Sequence, residues 1–251
     1  MKRLGSLGAV LPFLALGATA CGANVDTGGN PNYKFTMLAD FEKSTTMNQD
    51  VMPSLWNGGF SQDYDHSPAP TGYKMKFELG ALDPPVQMTN GRGPSTNALH
   101  VSDIGVYTLW GTVVYGDLQS AKKPVDLSAF KGISLWARSA GMPGFTIKIG
   151  IADLGSFDFG QTGTLPDPST GQICNALDTT VGGTGCYDDY SAKIYPDGQW
   201  RRYDIPFSSL TTGGWGLIHP FDVTRVFRIK LSMLPGTKYD LYFDDIAFYA
   251  D

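Results

Sequence analysis

Apolar and polar residues alternate with a period of two in five separate segments of this chain. The alternating segments are 73–79, 99–102, 133–138, 145–151 and 227–233. A period of two places every second side chain on the same face of a strand, whereas a helix needs a period of 3.6, which no long stretch of the chain shows. Two sheets packed face to face would bury all these apolar sides. We therefore predict an all-β fold, a two-sheet antiparallel β-sandwich.

The predicted strands place an unusual set of side chains on the faces that point away from the core. The pleat puts Trp136 and Arg138 on one side of their strand, and Asp240 and Tyr242 on one side of theirs. An aromatic ring can stack on the apolar C–H face of a sugar ring, while charged groups hydrogen-bond its hydroxyls. We expect a single open groove with two stacking residues and four hydrogen-bonding residues, namely Trp136 and Tyr242, then Arg138, Lys148, Arg228 and Asp240. In the alternative interpretation these are ordinary exterior residues, and Trp136 and Trp200 pack beneath a long loop.

The beginning of the chain differs in composition from everything that follows. A basic start precedes an apolar run over 4–16, and small residues over 18–20 lead directly to Cys21. This order predicts a secretory signal peptide over residues 1–20, because the apolar run is too short for a permanent membrane helix. The cysteine after the small residues resembles the lipobox of bacterial lipoproteins, in which the thiol is acylated and tethers the protein to a membrane. Ala18 departs from that pattern, which usually has Leu there, so simple secretion is the alternative.

Length and charge limit what the rest of the chain can be. Residues 21–33 show no periodicity and are predicted to be a flexible tether, and residues 34–251 are enough for one domain with a full core. The net charge of −5 becomes −7 when Lys2 and Arg3 leave with the signal peptide. This acidic balance argues against nucleic acid as a partner and leaves the lipid as the predicted membrane contact.

Several segments along the chain share their order and spacing with a known group of domains. The segments are LADFE at 38–42, NALHV at 97–101, LWG at 109–111, VDLSAFKGISLWAR at 125–138, GQWRRYDIPF at 198–207 and YDLYFDDIAF at 239–248. Over nearly all of 36–250 the chain resembles carbohydrate-binding modules of the galactose-binding-like jelly-roll group, especially those of family 11. The resemblance implies a jelly-roll β-sandwich that binds a polysaccharide or oligosaccharide without catalysis.

The resemblance also implies a structural calcium ion, which modules of this group often carry where the domain ends meet. Asp40 and Glu42 close the first predicted strand, and Asp244 and Asp245 interrupt the last one. Chain termini tend to lie close together, and Ca²⁺ prefers carboxylate oxygens. We predict Asp40, Glu42 and Asp245 as its ligands. In the alternative interpretation, Asp245 forms a bulge and bonds to the backbone, while Asp40 and Glu42 stay solvated.

The three cysteines suggest one disulfide bond. Cys174 and Cys186 can pair in an exported protein, which leaves Cys21 as the odd thiol. Two cysteines and scattered histidines do not form a zinc ligand set. We predict that the bridge staples a loop over 153–197. In the alternative interpretation, it also stiffens this loop so that Tyr187 or Tyr190 contacts the rim of a ligand groove. A second loop is predicted over 43–70.

Two further tryptophans stand next to glycine. We predict that Trp110 belongs to the core and that Gly111 marks a bulge. Trp215 lies between two glycines in a turn, where it is either an exposed stacking residue or a plug for the end of the sandwich.

The sequence offers little sign of catalytic chemistry. His66, His100 and His219 lack a nearby Ser or Cys in a recognisable nucleophile motif. We predict a non-enzymatic, exported domain that binds carbohydrate. It would be tethered at the outer membrane or cell surface if Cys21 is lipidated, and secreted if it is not. Two alternatives stay open: a glycan-active hydrolase with paired carboxylates, and a structural envelope lipoprotein that docks a protein partner.

Overall fold

The computed structural model describes residues 32–42, 56–70, 73–87, 94–120, 123–140, 146–158, 174, 185–217 and 219–251. The predicted signal peptide, Cys21 and most of the predicted tether lie outside these residues, so their roles stay predictions. Nothing helical in the described ranges has the length and apolar character that a membrane span requires.

Strands dominate the described part of the chain. Eleven β-strands form there, and one short 3-10 helix over Phe207–Ser209 follows the ninth strand. The strands are β1 (Lys34–Ala39), β2 (Phe60–Tyr64), β3 (Lys76–Gln87), β4 (Pro94–Ile104), β5 (Thr112–Asp117), β6 (Gly132–Ser139), β7 (Ile147–Asp153), β8 (Tyr190–Ile194), β9 (Arg201–Pro206), β10 (Val226–Met233) and β11 (Lys238–Ala250).

The strands form two antiparallel sheets. The first sheet has the order β3-β4-β11-β6-β9, and β1 pairs with the second half of β11. The second sheet has the order β2-β5-β10-β7-β8. Apart from β3–β4 and β7–β8, strands that are neighbours in a sheet are not consecutive in sequence, which is typical of sandwiches with crossover connections. The predicted all-β, two-sheet antiparallel sandwich is confirmed.

The core lies between the inner faces of the two sheets. Leu135 of β6 and Phe243 of β11 face it from the first sheet, while Ile149 of β7 and Leu231 of β10 face it from the second, all without solvent exposure. Each such side chain stabilises the fold by about 1.5–3 kcal/mol. The predicted alternation therefore gives the correct inward residues on these strands.

Two strands lie where the sequence predicted only loops. β2 falls within 43–70 and β8 within 153–197, and these strands form the two edges of the second sheet. Edge strands bury less surface than central strands, and β2 carries the polar run Ser61, Gln62 and Asp63 in its middle. The hydrophobic pattern was therefore too weak to predict them.

One alternation is wrong because a bulge shifts the pleat. The pairing of β10 with β7 changes register between Val226 and Arg228, and Val226 is the residue that points into the main core. Phe227 stacks on Phe157 instead, with ring centroids 4.6 Å apart, in a small separate cluster. The sequence placed Phe227 on the core face with Ile229, and the bulge overturns that prediction.

Candidate functional site

The six residues predicted to share one groove lie on the outer faces of two different sheets. Trp136, Arg138, Asp240 and Tyr242 belong to β6 and β11 of the first sheet, whereas Lys148 and Arg228 belong to β7 and β10 of the second. Alternation correctly predicted that these side chains point outward. It carries no information on which sheet a strand joins, so the prediction of a single groove is wrong.

The outer face of the first sheet is a packed layer of side chains. The Arg138 guanidinium lies 5.0 Å from the centre of the Tyr242 ring and 5.7 Å from that of Trp200. On its other side Tyr242 stacks on His100, with ring centroids 4.4 Å apart and planes 9° apart. His100 Nε2 lies 2.7 Å from Asp240 Oδ1. The rings and charges of this face therefore contact one another, although the ring nitrogens of Trp136 and Trp200 and Nε of Arg138 are buried without a hydrogen-bond partner among the described residues.

Trp136 does not have the exposure that a stacking platform needs. Its side chain lies in the same packed layer and is only 7% exposed. A sugar ring must reach the face of an indole in order to stack on it. The predicted stacking role of Trp136 is therefore wrong, because its ring is buried on the outer face of the first sheet.

A groove with a volume of about 570 Å³ runs over the outer face of the second sheet. Its floor consists of outward residues from the three central strands, which pair across the sheet in two rows. The rows are Tyr115, Lys230 and Gly150, and Val113, Ser232 and Lys148. Lys148 is thus the one predicted ligand residue that lines the groove, and Arg228 lies beside it against Tyr115.

Two tryptophans line the groove with well-exposed indoles. Trp110, in the loop before β5, is 48% exposed and lies beside Leu234 and Pro235 of the β10–β11 turn. Trp215, in the loop between β9 and β10, is 59% exposed and lies next to the segment 185–189. The prediction that Trp110 belongs to the core is wrong. For Trp215 the structure selects the exposed alternative.

A buried carboxylate, Asp65, lies beneath the Trp110 loop. Its Oδ2 accepts the backbone N–H groups of Leu109, Trp110 and Gly111 at 2.8, 3.0 and 2.9 Å. Burial by itself raises the pKa of this carboxyl, but hydrogen bonds from Ser67 and from the backbone outweigh it and lower the pKa to about 2. Asp65 is therefore charged at neutral pH.

A second buried carboxylate, Asp188, has the same relation to the Trp215 loop. Its Oδ1 accepts the N–H of Gly213 at 2.6 Å, and its Oδ2 accepts those of Trp215 and Gly216 at 3.0 and 2.9 Å. Both oxygens are thus engaged by backbone donors of one loop. No hydrophobic pattern marks Asp65 or Asp188, and the sequence analysis identified neither residue.

Charged and aromatic side chains are coupled on the groove floor. Lys230 pairs with Asp189, and its ammonium lies 5.6 Å from the centre of the Tyr115 ring and 5.5 Å from that of Tyr187. Burial, followed by the charge of Asp63, raises the pKa of the Tyr115 hydroxyl. Tyr115 is therefore neutral near pH 7 and can donate a hydrogen bond.

The predicted disulfide bond is present. Cys174 and Cys186 are bonded, with their Cα atoms 5.3 Å apart and both residues fully buried. The segment after the bridge supplies Tyr187 to the lining of the groove, whereas Tyr190 packs against the core and its hydroxyl donates to the His219 carbonyl. The bridge therefore anchors one wall of the groove.

The residues predicted to bind calcium meet where β1 ends and β11 bulges, because Ala39 pairs with Ile246. Ser95 Oγ lies 2.5 Å from both Glu42 Oε1 and Asp244 Oδ2. Burial, and then the charges of Asp245 and Glu42, raise the pKa of Asp244 to about 8. The Ser95 hydroxyl bridges the two carboxylates.

Donors within the protein engage two of the predicted calcium ligands. Asp40 Oδ1 accepts the Glu42 N–H at 3.2 Å, and Glu42 also accepts hydrogen bonds from Thr96. In the described ranges, no group of three or more His, Cys, Asp or Glu side chains is arranged to hold an ion. Asp245 has a positive φ of 48° at the bulge of β11, which the alternative interpretation expected, but Glu42 bonds to Ser95 and Thr96 instead of staying solvated. Calcium stays a prediction.

Among known proteins, the chain matches solved structures only. No protein family model and no curated protein matches the chain. The solution structure of CtCBM11 matches with a TM-score of 0.50 and 16% identity, over 86% of this chain and 95% of that one.

Two further solved structures are similar. The family 11 carbohydrate-binding module of the cellulosomal cellulase Lic26A-Cel5E of Clostridium thermocellum has a TM-score of 0.49 and 18% identity, over 87% of this chain and 95% of that one. The family 30 module of the cellulosomal cellulase Cel9D-Cel44B of the same organism has a TM-score of 0.44 and 15% identity, over 79% and 94%. At these identities the likeness concerns the fold. The chain has the two-sheet jelly-roll fold of carbohydrate-binding modules, as its sequence predicted.

Proposed function

We propose that this domain binds carbohydrate, without catalysis, in the groove on the outer face of the second sheet. The observation that carries the proposal is the pair of exposed indoles, Trp110 and Trp215, that line one groove with a polar floor. Indole rings stack on the apolar faces of sugar rings, and Lys148, Ser232 and Tyr115 can hydrogen-bond sugar hydroxyls from the floor.

The charge of the groove favours an uncharged glycan. Its ionisable lining residues in the described ranges are Asp63, Asp188, Asp189, Lys148 and Lys230, which sum to a formal charge of −1. Sulfated or uronic-acid polysaccharides need a surplus of cationic groups, usually bidentate arginines. We therefore expect binding to depend little on salt.

The carboxylates of the groove support a binding role. A glycosidase needs one carboxyl to donate a proton and another to act as a base or nucleophile on the sugar. Asp188 instead accepts three backbone N–H groups, and Asp189 pairs with Lys230. Asp63 also accepts the N–H of Tyr64 at 2.9 Å, so all three carboxylates of the groove have a partner within the protein.

The cellular location of the protein and the bound calcium ion are proposed from the sequence and its family resemblance. The basic and apolar start of the chain supports export, and Cys21 after the small residues supports a lipid tether at the outer membrane or cell surface. The predicted ligands Asp40, Glu42 and Asp245 lie where β1 ends beside the bulge of β11, the junction at which the family resemblance puts calcium. Export, the tether and calcium are parts of the same proposal.

Affinity electrophoresis against a panel of neutral and acidic polysaccharides tests the proposal. We expect retardation by at least one neutral glycan, and loss of that retardation in Trp110→Ala and Trp215→Ala. Trp200→Ala is the matched control, because it removes an indole from the opposite face of the sandwich. Retardation unchanged by both groove substitutions, or release of reducing ends by the protein, would contradict the proposal.

A further inference from the structure

Both groove tryptophans lie in loops whose backbones are held from below by a buried carboxylate. Asp65 is 1% exposed and receives three consecutive N–H groups, including that of Trp110 itself. Asp188 is 5% exposed and receives three N–H groups around Trp215, including that of Trp215 itself. The two carboxylates come from different parts of the chain, yet each makes the same contact with a loop that lines the same groove.

Each of these loops needs an external anchor because its tryptophan projects into solvent. An exposed indole has few packing contacts that fix its direction, so its position follows that of its own backbone. Gly111, with φ of +91°, and Gly214, with φ of +78°, permit the tight turns next to the two tryptophans. Hydrogen bonds from backbone N–H groups to a charged carboxylate are stronger than those to a neutral acceptor.

We propose that Asp65 and Asp188 are positioning residues for ligand binding, which orient Trp110 and Trp215 towards the groove through the backbone N–H groups of their loops. The inference rests on the proposed function, since it assigns these carboxylates a role at the same site. A site whose stacking rings are held in place before the ligand arrives spends less binding free energy on ordering them. Asp65 acts on the Trp110 loop alone, and Asp188 on the Trp215 loop alone.

The orientation of the rings can be measured without any sugar. In ¹H–¹⁵N NMR spectra, Asp188→Asn should shift the indole N–H resonance of Trp215 and leave that of Trp110 in place. Asp65→Asn should have the reverse effect. Asp126→Asn is the matched control, since that carboxylate also accepts a backbone N–H, from Ser128 at 2.8 Å, in a loop outside the groove. Indole resonances that respond equally to all three substitutions would overturn the proposal.

A double-mutant cycle on glycan affinity tests the connection between carboxylate and ring. We expect Trp215→Ala to weaken binding at least about 5-fold, as for an aromatic anchor, and Asp188→Asn to weaken it about 3-fold or more. In the Trp215→Ala background, Asp188→Asn should change affinity less than about 2-fold, because the ring it positions is gone. Equal effects in both backgrounds would overturn the proposal and leave the proposed function intact. An absence of any glycan binding by the unaltered protein would overturn the proposed function itself.

If a substituted protein fails to fold, amide hydrogen exchange on the unaltered protein still tests whether these loop N–H groups are hydrogen-bonded. The amides of Trp110, Gly111, Trp215 and Gly216 should exchange at least about 100-fold more slowly than unprotected amides, although their loops are exposed. Unprotected exchange at these amides would overturn the proposal.

Discussion

Replacement of Asp65 by Asn removes the charge that holds the Trp110 loop while it keeps the size of the side chain. The hydrogen bonds lower the pKa of Asp65 from 3.8 to about 2. A shift of this size corresponds to about 2 kcal/mol of folding free energy at neutral pH. The amide of Asn also places an N–H group against backbone donors, which adds a cost that does not depend on pH.

The sign of the pH dependence follows from the lowered pKa. The contribution of the Asp65 charge is fully present above the unfolded pKa of 3.8 and is lost as the pH falls through about 2. We therefore expect Asp65→Asn to lower the free energy of unfolding by at least about 2 kcal/mol at pH 7, or about 4–8 °C in Tm for a domain of this size. The difference from the unaltered protein should shrink by about 2 kcal/mol as the pH falls from 5 to 2.

Urea denaturation followed by far-UV circular dichroism, at several pH values between 2 and 7, measures this difference. Asp63→Asn is the matched control. It removes the same charge from an exposed side chain that lies two residues before Asp65 in the sequence. We expect that control to change stability by less than about 0.5 kcal/mol. A loss in Asp65→Asn that is the same at pH 7 and pH 2.5 would refute the reasoning, since the charge would then contribute nothing.

Three further predictions concern stability. The hydrogen bond to Asp153 raises the pKa of His219 despite burial, so the contribution of the His219 charge to stability is fully present below pH 6.5 and is lost as the pH rises through the folded pKa. His219→Gln should therefore lower the free energy of unfolding more at pH 5.5 than at pH 8.5. An equal loss at both pH values would contradict this prediction. Replacement of Cys174 and Cys186 by Ser should lower the free energy of unfolding by about 3 kcal/mol in urea titrations, and an unchanged midpoint would argue against a stabilising bridge. Saturating Ca²⁺ should raise Tm by about 5 °C or more over the chelated protein, and Glu42→Gln should abolish the difference; an identical Tm with chelator would reject the calcium prediction.

The sequence predicted the fold well because period-two alternation is a local property. Burial of Leu135, Ile149 and Leu231 between two sheets follows directly from their alternation with polar neighbours. The assignment of strands to sheets is a non-local property, since β6 and β7 are consecutive in sequence yet lie in different sheets. For this reason Trp136 and Lys148 were predicted to share one surface and in fact lie on opposite sides of the molecule.

The candidate groove was missed because its main residues lie in loops, where periodicity gives no information. One local signal was nevertheless present. Of the five tryptophans, only Trp110 and Trp215 have glycine as an immediate neighbour, and these two line the groove. A tryptophan beside glycine has a backbone that can turn outward at low cost. The carboxylates beneath these loops had no comparable signal, since their role depends on contacts 27 and 45 residues away along the chain.

The central claim is that a glycan occupies the groove of the second sheet between two exposed indoles. A single ¹H–¹⁵N NMR titration with a neutral oligosaccharide that retards the protein tests it, because the tryptophan indole N–H groups report on both faces of the sandwich at once. The account predicts that the resonances of Trp110 and Trp215 shift with saturation, while those of Trp136 and Trp200 stay in place. Shifts confined to Trp136 and Trp200 would place the ligand on the first sheet and contradict the account.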